Sequence, residues 1–371
     1  MGKTQLLSVR EHPITNRVRV RLLSFIKSHQ PFRFIARSFR NLFLPQDPTH
    51  DGPQAFINIE ISSICDAKCV FCSYKFGLRQ RKQASLDWFQ SVARSAVSCG
   101  YKRLDLTPLT GELFTHKDAI EIIRIASLAG FERIETYTNA INLYKFDIEA
   151  LLSSGIDQIN ISTPGFSEDL YKNVFGVNKF AEFRDSVERL LEIHGRLSSR
   201  VDIVFELRGP APLRAVEHSA FYRAVIRNSL SEKIRITEAL TSFDSWGGLV
   251  TQKDLTDGLT LDWNPIKSLA PLKSVYPCAH LYEIGILANG DVRLCNCRYD
   301  SSIESEMDPL WIGALNKQPD LSRFLKANKK KIERIRNDFR NGALPSLCKN
   351  CRLYYPVRAD SIVTPEMQAG S

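Results

Sequence analysis

The chain has 371 residues, 50 Lys+Arg against 41 Asp+Glu for a formal charge of +9, and 43% hydrophobic positions. That length supports one large or two modest domains with a full core, and the composition excludes collagen-like, mostly disordered and mini-protein classes. No charge-free apolar run approaches the ~18 residues of a membrane span.

The charge is concentrated at the start. Residues 1 to 45 carry Lys3, Arg10, Arg17, Arg19, Arg21, Lys27, Arg33, Arg37 and Arg40 against Glu11 alone, which leaves the remainder close to neutral. From Arg17 to Leu44 these basic residues interleave with apolar ones such as Val18, Leu22, Phe25, Ile26, Phe34, Ile35 and Phe39. Helices broken at Pro31 would have one cationic and one apolar side, suited to an anionic membrane surface or a lipid-linked substrate, or to packing on the rest of the protein. No nucleic-acid recognition motif accompanies the charge, so nucleic acid is not an expected partner. Met1 to Val9 lacks the succession of a secretory signal. Residues 1–50 are read as a basic N-terminal helical extension, with Pro45, Pro48, Gly52 and Pro53 as its linker.

Strands are expected at Phe56 to Ser62, Arg103 to Pro108, Arg133 to Asn139, Gln158 to Thr163, Val201 to Arg208 and Lys233 to Glu238, separated by helical patterns such as Leu86, Phe89, Val92, Ala93 and Ala96. Six strands alternating with helices imply a parallel sheet with right-handed crossovers. The strands alternate rather than run apolar throughout. Asn58, Glu60 and Ser62 share one face of the first and Ile57, Ile59 and Ile61 the other; Asp105 and Thr107, Asn160 and Ser162, and Glu206 and Arg208 repeat the pattern. A polar inner face fits a partial or complete barrel whose lumen holds a polar ligand; the other reading is strand ends in solvent.

After a Pro- and Gly-containing stretch from Leu249 to Lys273, Tyr282 to Leu294 reads as a hairpin turning at Asn289-Gly290, and Asp320 to Asn341 as a basic helix. Seven of nine cysteines sit in tight groups: Cys65, Cys69 and Cys72; Cys295 and Cys297; Cys348 and Cys351. Such spacing suits metal binding rather than disulfide stapling, and a reducing, cytoplasmic setting is expected, with residues 1–45 offering a peripheral membrane contact. Cys99, before Gly100, reads as a small buried hydrophobe. Cys65-Asp66-Ala67-Lys68-Cys69-Val70-Phe71-Cys72 is a Cys-x3-Cys-x2-Cys loop directly after the first strand. Three thiolates there can hold three irons of a 4Fe–4S cube and leave one iron open.

With Phe71 before the third cysteine, this loop resembles that of the radical S-adenosylmethionine (SAM) superfamily. Thr110-Gly111-Glu112 is similar to that family's Gly-Gly-Glu segment, with Thr for the first Gly, and Thr138-Asn139-Ala140 to its Thr-Asn-Gly. Ser162 sits where members contact SAM, and Arg208 suits a carboxylate by bidentate geometry. The resemblance implies an α/β partial six-stranded TIM-like barrel over residues 51–250, a SAM-binding 4Fe–4S cluster on Cys65, Cys69 and Cys72, and a 5'-deoxyadenosyl radical that takes a substrate hydrogen. It also implies an external reductant such as flavodoxin or ferredoxin.

Cys278, Gly290-x4-Cys295 and Cys348-x2-Cys351 are similar to the first half of the SPASM extension, or the shorter Twitch domain, which implies a second, auxiliary 4Fe–4S cluster over residues 268–356, with 357–371 as a tail. Five thiols compete for four places. The glycine spacing favours Cys295; Cys297 is a spare cysteine, an alternative ligand, or a hydrogen-atom donor near substrate. Cys297, Glu206 and Arg208 are the candidate catalytic side chains. The expected activity is a SAM-dependent oxidoreductase that dehydrogenates or epimerises a sugar-like or carrier-linked small molecule. Its rivals are modification of a ribosomal peptide and a non-catalytic Fe–S or zinc protein. Trp246-Gly247-Gly248 resembles a turn of SPASM-bearing relatives. Lys75, Arg79, Arg81 and Lys82 are read either as a contact for an anionic substrate or as a solvated face, and His116 and Glu112 as groups that transfer protons or serve structure.

Overall fold

Ile57, Ile59 and Ile61 are fully buried, yet so are Glu60 and Ser62, and Asn58 is 2% exposed. A strand whose apolar and polar faces are both out of water must be covered by helices on one side and by other polar side chains on the other, which is the condition of a barrel interior. In this computed structural model the described residues are 56–354 except 78, 262–276, 300–302, 316–318, 350 and 352. All lie within one unit that runs from Pro48 to Ser371. The basic extension and the stretch 262–276 fall outside the described residues.

The first half alternates as expected: β1 (Phe56–Ile59), α1 (Leu86–Ser98), β2 (Arg103–Asp105), α2 (Ala119–Ala129), β3 (Arg133–Thr138), α3 (Ile148–Leu152), β4 (Gln158–Thr163), α4 (Glu168–Phe175), α5 (Phe180–Arg196), β5 (Asp202–Leu207), α6 (Leu213–Val216) and β6 (Ile234–Ile236). Each strand pairs in parallel with the next. The result is an α/β fold with an open, partial barrel. α1 shows why these helices form: Ser85 caps its start by accepting from the Trp88 N–H at 3.4 Å, and Phe89, Val92, Ala93 and Ala96 form its buried stripe. Cys99 closes that helix and is half-buried, more open than expected because it sits at the C-cap rather than on the stripe.

A short pair, β7 (Ser242–Phe243) and β8 (Thr260–Leu261), stands apart from the main sheet. The predicted hairpin is β9 (Ile284–Ile286) and β10 (Asp291–Leu294), turning at Gly290 with φ +92°. It does not float free of the barrel. β9 pairs in parallel with β1, with Ile57 opposite Ile284, and β11 (Trp311–Ala314) adds antiparallel to β10, so the sheet reads β11-β10-β9-β1-β2-β3-β4-β5-β6. α7 (Leu321–Arg340), capped by Asp320, and α8 (Ser346–Lys349) complete the described chain. Among the described residues no helix is long and apolar enough to cross a membrane.

Two carboxylates organise the lumen, Glu60 fully buried and Asp105 half-buried. Glu60 takes Arg79 on both oxygens and also accepts from the Leu109 N–H at 3.1 Å and the Ala288 N–H at 3.2 Å. Lower down, Asp105 accepts from the Thr107 N–H at 2.8 Å and from its hydroxyl, while Thr107 Oγ1 accepts from the Tyr137 N–H at 2.8 Å. Burial pushes Asp105 up to about 7; the Thr107 hydrogen bonds oppose that rise and the Glu135 charge adds to it.

Glu60→Ala should leave the Arg79 guanidinium buried without a counter-charge and cost about 3–5 kcal/mol in urea unfolding; a loss under 1 kcal/mol would mean the pair is dispensable. Asp105 carries the opposite sign. Between its ordinary value of about 3.8 and about 7 the folded protein keeps a proton that the unfolded chain has released, so stability falls as pH rises through that window. Asp105→Asn should therefore be near neutral at pH 4 and more stable than wild type by about 2–4 kcal/mol at pH 8, read from unfolding curves at both pH values.

Candidate functional site

The three-cysteine loop leaves β1 at the mouth of the barrel and is fixed by its main chain. The Lys68 and Val70 N–H groups donate to the carbonyls of Phe175 and Val174, each at 2.9 Å, so the loop is pinned to the end of α4. Gly176, at φ +67°, permits that approach, since a Cβ there would lie 2.6 Å from the Lys68 oxygen. Cys65, Cys69 and Cys72 are half-buried, and the Tyr74 hydroxyl accepts from the Cys65 N–H at 3.0 Å. Phe71 stacks on Phe243 at 4.1 Å, and its carbonyl accepts from the Trp246 indole at 2.9 Å. Burial pushes all three thiols up; the charges of Glu112 and Asp66 add to this at Cys65. Loading a metal centre here displaces protons from the thiols.

The ends of β2 and β3 meet through Glu112. Its carboxylate, 3% exposed, accepts from Thr138 Oγ1 and the Asn139 N–H, both at 2.8 Å, and from the Phe114 N–H at 3.2 Å, while the Glu112 N–H donates to the Ile64 carbonyl at 2.8 Å. Burial lifts Glu112 to about 8, with the Asp66 charge pushing the same way and its hydrogen bonds opposing. Asn139 in turn donates to Asp66 Oδ1 at 2.7 Å. Ala140 sits at φ +59°, a left-handed position that accounts for glycine as the usual third residue of such a turn. Gly111 is equally constrained: a Cβ would lie 2.2 Å from the Ser62 oxygen. Thr110, Gly111, Glu112, Thr138 and Asn139 thus converge on the cysteine loop, and Ser162 lies half-buried on β4.

Glu206 and Arg208 are partnered with a residue that the sequence reading did not single out. The Tyr137 hydroxyl donates to Glu206 Oε1 at 2.9 Å, Arg208 Nη2 donates to Oε2 at 2.8 Å, and the guanidinium lies 5.5 Å over the Tyr137 ring. Arg208 Nε is buried with no partner. The signal for Tyr137 was the alternation of β3, where Glu135 and Tyr137 share a face. The cationic run after the loop divides: Lys75 pairs with Asp254 at 3.0 Å, Arg79 is buried on Glu60, and Arg81 lies over the Tyr74 ring, lining a small cavity with Arg79, Ser63 and Thr110. His116 is structural, with Nε2 at 3.1 Å from the Ala84 oxygen and Nδ1 accepting from the Asp118 N–H.

The second cysteine set is separate. Cys278, Cys295, Cys348 and Cys351, all buried, line one small cavity with His280, Leu281, Arg298, Leu310, Phe339, Leu347 and Tyr354. Cys295 adopts φ +68°, an uncommon conformation for a side-chain-bearing residue. Cys297 is not among the lining residues; its sulfur groups with His280 and Glu283, the three ligand atoms lying within 4.8 Å of one another. The Cys297 thiol donates to Cys295, and this bond, with the facing His280 and Arg293, pushes Cys295 down to about 6 despite its burial. Burial disfavours the His280 cation, but Glu283 at 2.7 Å holds it protonated well above the usual histidine range.

Residues 59–205, from the end of β1 to within β5, match the family profile described as the Radical SAM superfamily. The chain is 23% identical over 270 residues to the GTP 3',8-cyclase of Mannheimia succiniciproducens, a match covering 65% of this chain and 77% of that protein. It is 26% identical over 154 residues to the GTP 3',8-cyclase of Vibrio parahaemolyticus, covering 40% of this chain and 45% of that protein, less than half the Vibrio enzyme's length. The solved structure of BtrN in complex with AdoMet and 2-DOIA aligns with 81% of this chain and 93% of that one, at 14% identity and a TM-score of 0.49. The matched segment holds both the cysteine loop and the parallel strands that frame it, so over residues 59–205 the chain is similar to the radical SAM superfamily, a family that implies a 4Fe–4S cluster and SAM as cofactors.

Proposed function

We propose that the protein is a radical SAM oxidoreductase with two 4Fe–4S clusters that dehydrogenates a hydroxyl-bearing, sugar-like or carrier-linked small molecule. The observation that carries this reading is the convergence of Cys278, Cys295, Cys348 and Cys351 on one cavity, apart from the three-cysteine loop. Four thiols around one cavity suit the four irons of a cuboid cluster, and the separate three-cysteine loop of the same chain has the spacing of a second such site. Cys65, Cys69 and Cys72 would hold the first cluster. Thr110, Gly111, Thr138, Asn139, Ser162 and Arg208 would hold SAM, and the buried, unpartnered Nε of Arg208 supports a further acceptor there. When bound, these groups supply a 5'-deoxyadenosyl radical that takes a hydrogen atom from substrate, and the second cluster supplies an acceptor for the electron released.

The chain's own residues shape the rest. Glu112 spends its carboxylate on the Thr138-Asn139 turn, so its part is positioning. Glu206, held by Tyr137 and Arg208 and about a quarter exposed, is placed to take the hydroxyl proton of a substrate alcohol as it becomes a ketone. The name of the curated relatives supports a second reading, cyclisation of a nucleoside triphosphate. A triphosphate needs several free cations, and Lys75 and Arg79 are already paired with Asp254 and Glu60.

Anaerobic reconstitution should give about eight irons per chain and, with dithionite and SAM, 5'-deoxyadenosine; full iron without that product would sink the enzyme reading. GTP supplied in the same assay should be recovered unchanged, and a cyclised nucleotide would replace the alcohol reading with the second one. Changing Cys65, Cys69 and Cys72 together to Ala should leave about half the iron. Gly111→Ala, by pushing the β2 end off Ser62, should lower 5'-deoxyadenosine formation about 100-fold with iron content unchanged.

A further inference from the structure

The C-terminal segment holds two arginines, Arg293 fully buried and Arg298 half-buried, each with its own aspartate. Arg293 pairs with Asp308 at 2.7 Å, both side chains 1% exposed, and donates to the Cys295 carbonyl. Arg298 pairs with Asp244 at 2.8 Å and donates to the Cys297 carbonyl. Buried ion pairs are weak evidence for stability, so their placement needs another reason.

The two differ in what lies beyond them. Arg293 lies 5.4 Å over the Tyr299 ring, and its charge is felt by Cys295 and Cys348 of the second set. Arg298 lines the second cavity beside Cys295, Cys348 and Cys351, and its guanidinium lies 4.6 Å over the Trp246 ring. That indole donates at 2.9 Å to the carbonyl of Phe71, the residue before Cys72. Asp244 holds both ends of this contact, since the oxygen facing Arg298 also accepts from the Trp246 N–H at 2.7 Å. The same turn reaches the other cysteine set: Gly247, at φ +76°, packs so closely on Leu347 that a Cβ would lie 3.2 Å from Leu347 Cδ1, one residue before Cys348. The Arg298 charge is felt by the Cys72 thiol on one side, and the charges of Cys351 and Cys297 are felt by Arg298 on the other.

We propose that Arg298, clasped by Asp244 and Trp246, is a positioning and electrostatic residue shared by the two iron–sulfur centres, fixing the Cys72 loop against the Cys348–Cys351 segment and raising the reduction potential on both sides. The proposal rests on the two-cluster reading above. A guanidinium keeps its charge at any working pH, and its half-buried setting reduces screening by water. Reducing a cluster adds negative charge, so a fixed cation facing it stabilises the reduced form; net charge and hydrogen bonding are what set such potentials. Asp244 does not line the cavity, so the pair presents its positive end to the cysteines.

The test is a potentiometric titration of the reconstituted holoenzyme followed by EPR, with iron content measured on each sample and the Cys65/Cys69/Cys72→Ala triple variant used to assign the second signal. Arg298→Gln should retain its iron and shift both midpoints negative, and Arg298→Lys, which keeps the charge, should stay close to wild type. Full iron with neither midpoint moved, or only that of the second cluster, would overturn the shared role. Should Arg298→Gln lose iron, Trp246→Phe is read instead, since it removes only the indole N–H to Phe71: a changed signal from the first cluster supports the link, and an unchanged one overturns it. A wild type holding one cluster removes the two-cluster reading and the proposal together, whereas two clusters indifferent to Arg298 remove the proposal alone.

Discussion

A single carboxylate at the mouth of β1 ties the molecule together. Glu60 is fully buried and paired with Arg79, and its remaining lone pairs are taken by main-chain donors from the loop after β2 and from the hairpin turn after β9. Three segments distant in sequence therefore share one charge that water cannot reach. An isolated buried charge is untenable, so each donor has to be in place for the others to be stable. The cysteine loop begins five residues after Glu60, and Arg79 ends the segment that follows the loop, so this constraint sets the frame in which the thiols are presented.

The polar groups around the cysteine loop are largely consumed in holding one another. Glu112 is capped by Thr138, Asn139 and Phe114, Asp66 accepts from Asn139, and Glu206 is shared between Tyr137 and Arg208. Chemistry that depends on a highly reactive species gains from side chains that cannot swing, and a site whose acids and bases are already hydrogen-bonded offers few stray donors. What remains open is narrow: Arg208 Nε, the second oxygen of Asp66, and the cavity beside Arg81.

Much of this is legible in the amino-acid sequence itself. Alternation such as Asn58, Glu60 and Ser62 against three isoleucines located the strands to within one to three residues at their ends, because a two-residue period is a local property. The hairpin at Asn289-Gly290 and the helix beginning at Asp320 were equally local, one set by a glycine at positive φ and the other by a side-chain cap. The expected reading of Arg79 as a surface or substrate-facing cation was overturned because its partner, Glu60, lies in a different segment, and no periodicity encodes that pairing. Tyr137 and Arg298 escaped for the same reason: each acquires its role from residues tens or hundreds of positions away, where only the folded chain brings them within hydrogen-bond range.

The parallel pairing of β1 with β9 has a consequence for how the chain comes into being. β1 is made early, and its partner at Ile284 to Ile286 is made long after the rest of the barrel. Until then the strand that bears the cysteine loop is a bare sheet edge with Ile57 and Ile59 along it, and contacts of such long sequence separation form slowly. During synthesis, the nascent barrel must be kept from pairing with the wrong edge, and the three thiols must be kept from oxidising, for as long as the ribosome takes to reach the hairpin. The order of translation thereby makes closure of the β1 edge one of the last events in forming the sheet.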